Sequence, residues 1–162
     1  QVRRMAAHLR ATATLTGTRP LLAGPVHVIR GSELAGRSRV LFVAPGEPFE
    51  LGFGIDDGLR VRRKVDEARE TTAVLGTQKI TRTVRLYVSN LSGQRKPLQL
   101  TERVPVSEIR DVEISVQPGP GMRFDSKDGF VRIDCDLEPS ATKEVSFSYR
   151  IEAGARVVLP SI

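Results

Sequence analysis

Tryptophan is absent from the 162 residues, cysteine occurs once, histidine and tyrosine occur twice each, and aromatic residues make up 5% of the chain. The single cysteine, Cys135, excludes an intrachain disulfide framework and any multi-cysteine zinc site. His8 and His27 leave little material for metal binding, and neither stands at a metal-ligand spacing. So poor in rings, a core has to be assembled from Val, Leu, Ile and Phe. No apolar run approaches the ~18 residues of a membrane-spanning helix. The chain opens at Gln1 without a leader-like segment and is read as a fragment of a longer protein, its compartment open between cytoplasm and envelope.

What is present is ordinary in amount and unusual in pattern. Hydrophobic residues make up 40% of the chain and charged residues 27%, as in a soluble globular domain. A chain of this length can bury roughly two thirds of its unfolded surface, in one domain or two small ones. The net charge is +6, which brings acidic partners into view: nucleic acid, an anionic polysaccharide or a membrane surface. A basic surface with no anionic ligand satisfies the same figure.

Period-two alternation runs almost from end to end and marks half-buried strands. Leu9, Ala11, Ala13 and Leu15 alternate with Arg10, Thr12, Thr14 and Thr16. Strands are also expected at Pro25 to Arg30, Arg37 to Val43, Phe49 to Phe53 and Leu59 to Asp66. Glu67 to Gly76 reads as the end of a long hairpin arm rather than a helix. Further on, Gln78 to Asn90, Lys96 to Arg103, Val112 to Val116, Val131 to Leu137 and Val145 to Ile151 repeat the alternation more cleanly. Pro118-Gly119-Pro120-Gly121 and Asn90-Leu91-Ser92-Gly93 supply turn chemistry between them. The pattern predicts an all-β protein of antiparallel sheets, with residues 1–76 forming long hairpins and 77–162 an immunoglobulin-like sandwich. Ile80, Val84, Leu86, Val145, Phe147 and Ile151 are its expected core.

Catalytic motifs do not emerge. Gly52-Phe53-Gly54-Ile55-Asp56-Asp57-Gly58 approaches a dinucleotide fingerprint, but its last spacing is one residue too long and no helix is expected to follow. Asp134 and Asp136 share one strand face, where cross-strand Arg or Lys partners account for them better than paired-carboxylate hydrolysis. Asp125-Ser126-Lys127-Asp128-Gly129 lacks the ligand series of a calcium loop and reads as a turn. Cys135 lies in an apolar stripe and reads as a small core residue.

One constellation stands out as a binding candidate: Arg60, Arg62, Arg63 and Lys64, with Arg60, Arg62 and Lys64 on one strand face. Such a ladder can follow a polyanion. Nucleic acid is disfavoured, because no aromatic residues interleave the ladder for base stacking. The plainer reading is an edge strand guarded by charge against edge-to-edge pairing.

Several strings together resemble a known family. LLAGPVHVIRG, VAPGEPFELGFGIDDGLRVRRKV, RTVRLYVSNLSG, LQLTERVPVSE and LEPSATKEVSFSYRIEA are similar to the mucoidy inhibitor MuiA family, in the expected order and from about Ala11 to Pro160. The resemblance implies the second half of a β-rich domain of unknown function, which in family members follows an N-terminal β-domain and a coiled coil. The part that usually precedes it, with a pairing strand and a Trp-containing segment, is missing here. The family name refers to suppression of exopolysaccharide overproduction, which implies no reaction and no catalytic residues. The expectation is therefore a non-enzymatic module with no cofactor or metal, docking to the rest of its own chain or to another protein. The alternative is a module that binds carbohydrate, such as an acidic polysaccharide, or another polyanion through the strand around Arg60.

Overall fold

A computed structural model describes residues 2–71 and 77–154. Among the described residues there is no helix, and the paired strands run antiparallel. The strands are β1 (Val2–Met5), β2 (His8–Thr14), β3 (Gly24–Arg30), β4 (Glu33–Val40), β5 (Pro48–Ile55) and β6 (Leu59–Thr71). They continue with β7 (Gln78–Asn90), β8 (Lys96–Arg103), β9 (Val112–Gln117), β10 (Arg123–Asp125), β11 (Phe130–Leu137) and β12 (Thr142–Ala153). The all-β, antiparallel expectation holds, and β7 and β8 span the stretches read from the alternation.

The chain forms two compact units, one of Ala6–Asp57 and one of Gln1–Met5 with Gly58–Ile162. The boundary expected at 76/77 touches residues 72–76, which lie outside the described residues. On either side of it, β6 and β7 pair from Leu59↔Asn90 to Thr71↔Gln78 and belong to the same unit. The long hairpin arm is thus present as far as Thr71, but it is part of the larger unit rather than of the N-terminal one.

In the larger unit one sheet has the order β1-β6-β7-β12-β9 and the other the order β10-β11-β8. Ile80, Val84 and Leu86 of β7 and Val145, Phe147, Tyr149 and Ile151 of β12 form one buried cluster with Val131 and Ile133 of β11. Side chains from both sheets meet in that cluster, so the two sheets face each other as a sandwich. All six core residues expected from the sequence are buried. Phe147 and Tyr149 stack with ring centroids 6.5 Å apart.

Apart from β1, the strand order fills the four-plus-three layout of a constant-type immunoglobulin sandwich. The connections differ. The slot between the second and fourth strands, held by the fifth strand in that fold, is here held by the last strand, β12.

Loops of this unit are held by specific polar and steric contacts. Asn90 is buried, and its amide nitrogen donates to the carbonyls of Gln94, Leu137 and Glu138, 2.7–3.1 Å away. Its side-chain oxygen accepts from the Ser92 N–H and hydroxyl. At Gly119 a methyl group would overlap the Ser146 carbonyl oxygen, so only glycine allows this loop to lie on β12. Beyond β8, Val104 is fully buried, and Pro105 ends the ladder as its missing N–H requires.

In the smaller unit β2 pairs β5, and β3 pairs β4 in a hairpin with a register shift between Val28 and Ile29. The strand expected over Arg37 to Val43 begins earlier and ends at Val40; beyond it, Val43 makes an isolated bridge to Leu21. Two backbone hydrogen bonds of 2.9 and 3.0 Å close that bridge. Among the described residues, Val28, Val40 and Val43 are the buried hydrophobics of this unit.

Candidate functional site

The ladder lies on the outer face of the five-stranded sheet. Direct pairing puts Arg60 opposite Ser89, Arg62 opposite Tyr87 and Lys64 opposite Arg85. Period-two geometry then gathers Arg60, Arg62, Lys64 and Arg85 around the half-buried Tyr87 on one face. A shallow depression of about 200 Å³ is lined by Arg62, Arg63, Lys64 and Tyr87.

β6 is not an edge. β1 pairs it on one side, from Val2↔Lys64 to Met5↔Val61, and β7 pairs it on the other. Charge that guards an open edge is therefore not what these residues supply. That explanation is overturned by a four-residue strand whose sequence shows too few positions for alternation to register.

Arg63 does not belong to the ladder. Its side chain takes the inner face and meets Glu102 of β8 at 2.9 Å, bridging the two sheets with both groups mostly buried. Arg63 breaks the apolar row of β6 because it answers a carboxylate in the opposite sheet, not because it serves the surface.

The remaining cations differ in how far they are neutralised. Lys64 lies 3.3 Å from Asp66, and Arg85 is bonded to Asp66 and lies 3.8 Å from Glu144. Desolvation alone would raise the Asp66 carboxyl, but the hydrogen bonds and charges of Lys64 and Arg85 outweigh it and hold the group below its ordinary range. Arg60 and Arg62 are exposed and have no carboxylate partner among the described residues. Among the described side chains they are the cations of this face that remain open to an anion.

Other sequence candidates resolve into structural roles. Asp134 is bonded to Gln99 and Arg123, which hold its carboxyl below the ordinary range, and Asp136 is bonded to Arg95. These are cross-strand partners, as the alternation implied. Asp125 and Asp128 accept from the backbone N–H groups of Lys127 and Phe130 at 2.9 Å, and Gly129 takes a φ of 71° that closes the turn. Cys135 is half-buried rather than core. It lines an open depression with Pro97, Leu98, Gln99, Asp134 and Asp136, and burial pushes its thiol up, away from the reactive thiolate. His8 and His27 are exposed, on β2 and β3. Among the described residues no three metal-ligating groups converge, and no helix is long and apolar enough to cross a membrane.

Tyr87 was not legible as part of the ladder, because its place there depends on which strand lies beside β6. No curated protein and no solved structure is found to match the chain. The family model for the domain of unknown function DUF4139 matches residues 2–155, and the chain belongs to that family.

Proposed function

We propose that the chain is a non-catalytic β-module that works by docking, to another part of its own longer protein or to a second protein. The observation that carries this reading is the apolar surface of Ala6–Asp57. Leu22, Leu41, Phe42 and Ile55 are 72%, 78%, 58% and 57% exposed. The Leu21–Val43 bridge brings Leu22 and Phe42 to neighbouring positions, with Leu41 next along the chain. Large apolar side chains gathered outside a core mark surfaces that a partner covers. The resemblance to the mucoidy inhibitor MuiA family supports the intrachain form, since members carry a β-domain and a coiled coil ahead of this one. The link to suppression of exopolysaccharide overproduction belongs to the same proposal.

Two measurements test it. Leu41→Ser combined with Phe42→Ser is expected to change stability by less than about 0.5 kcal/mol, as for exposed positions. A loss above about 2 kcal/mol shows that the pair is core of its own unit, and docking through it falls. Amide exchange over residues 21–43 is expected to slow in the complete gene product or with its protein partner, relative to this chain alone. No protection in either setting also ends the proposal.

The β6 face favours a second reading, a carbohydrate- or polyanion-binding surface. Its support is the loss of the edge-guard explanation, together with the open charges of Arg60 and Arg62.

A further inference from the structure

We propose that the tip of the β3–β4 hairpin is a contact site for an anionic lipid surface. Ile29 and Leu34 face each other directly across the hairpin, one residue from each side of the turn, and are 63% and 62% exposed. Alternation along β3 leaves Val28 buried and Ile29 outward, and the register shift, which leaves Ala35 unpaired on β4, brings Leu34 to the same side as Ile29. His27 and Arg37 form the next outward pair, Pro25 and Arg39 the one after, and all four are exposed. Neither Arg37 nor Arg39 has a carboxylate partner among the described residues. The hairpin's one carboxylate, Glu33, sits in register with Arg30 where the chain turns.

The arrangement is an apolar end with a cationic collar behind it. A strand rises ~3.3 Å per residue, so Arg37 lies roughly 7–10 Å behind Leu34, allowing for the bulge. Interfacial elements bury their apolar side roughly 5–10 Å into the headgroup boundary. With Ile29 and Leu34 at that depth, Arg37 stands at the level of the lipid phosphates, and Arg39 lies further out. A protein partner fits less well: a standard interface takes about 800 Å² from each side around an apolar centre, and two side chains on a narrow tip do not supply that. A bilayer needs no complementary shape. The site is separate from the Leu22, Leu41 and Phe42 surface, which lies at the opposite end of the hairpin.

Co-sedimentation of the chain with phosphatidylserine-containing and pure phosphatidylcholine vesicles tests this directly. Binding is expected to the anionic vesicles only and to weaken with salt. Ile29→Ser with Leu34→Ser is expected to abolish it. Arg37→Gln with Arg39→Gln is expected to weaken it at least about five-fold, the worth of one cation near such a surface. Arg103→Gln with Arg110→Gln, exposed cations outside both candidate surfaces, is the control and leaves binding unchanged. The exposed positions make folding of these variants checkable by an unaltered circular dichroism spectrum. No sedimentation with anionic vesicles overturns the proposal. So does sedimentation kept in both tip variants but lost in Arg60→Gln with Arg62→Gln, and so does retention on immobilised polyglutamate without vesicle binding, which assigns the tip to an acidic protein.

Discussion

Asn90 shows how much one buried polar side chain can hold. It ends β7, and its amide ties the loop that follows to the Leu137 and Glu138 carbonyls at the far end of β11. Every polar atom of the side chain has a partner, so burial costs it little. Asn90→Ala removes the amide and strands carbonyl groups that water reaches poorly. The expected cost is about 2–4 kcal/mol, from one or two buried acceptors left unmade. Asn90→Asp is expected to be worse at neutral pH, since a carboxylate keeps the shape and offers the three carbonyls no donor. Chemical denaturation of the two variants against the parent checks this order. A cost for Asn90→Ala below about 0.5 kcal/mol shows that the two loops hold each other without it. In the sequence this residue reads only as the first of four turn residues. The partners that make it structural lie 47 and 48 positions away, beyond any local pattern.

Among the elements, β6 carries the clearest change of character along its length. Its inner row runs Leu59, Val61, Arg63, Val65, Glu67 and Arg69, apolar over the core and ionic toward the exposed end. There Glu67 accepts from Arg69 and Arg82 at 2.6 Å, and Arg82 reaches the Tyr149 hydroxyl at 3.3 Å, linking β6, β7 and β12. The hydrogen bonds from Arg69 and Arg82 hold the Glu67 carboxyl below its ordinary range. A carboxyl depressed by folding stabilises the native state above its unfolded pKa and loses that contribution as pH falls through the folded one. Stability is therefore expected to drop below about pH 4.5, and Glu67→Gln to be less stable at neutral pH but flatter through the acid limb. Thermal melts across that range check it; an acid limb as steep in the variant as in the parent removes Glu67 from the account. Strand faces were legible because the side-chain period is two, so Ile80, Val84 and Phe147 declare their side without knowledge of their neighbours. Neighbours were not legible. That β1 covers β6, and that three-residue β10 exists at all, follow from long-range pairing by segments too short to show a period.

For the whole molecule the question is where a net charge of +6 is left open. Much of the basic content is spent on pairs: Arg63 with Glu102, Arg82 with Glu67, Arg95 with Asp136, Arg123 with Asp134 and Arg132 with Asp128. The exposed pairs among these add little stability each, but all of them remove cations from the field an anion meets. Among the described side chains of the β6 face that leaves Arg60 and Arg62, with Lys64 balanced by Asp66. A polyanion bound there displaces counterions, so its affinity falls steeply with salt. The second reading predicts salt-sensitive retention on an acidic polysaccharide that Arg60→Glu with Arg62→Glu removes. Lys64→Gln with Asp66→Asn, which removes the compensated pair without changing net charge, changes it little. Polar replacements on this face keep the period-two pattern, so the sheet is expected to survive these changes. Retention on immobilised polysaccharide across a salt series, read for the parent and each variant, separates the cases. Equal loss from the neutral Lys64→Gln, Asp66→Asn pair shows that Arg60 and Arg62 are not the cations that hold the polyanion. Weak retention that none of the substitutions moves retires the β6 face and leaves docking through Ala6–Asp57 as the proposal to test.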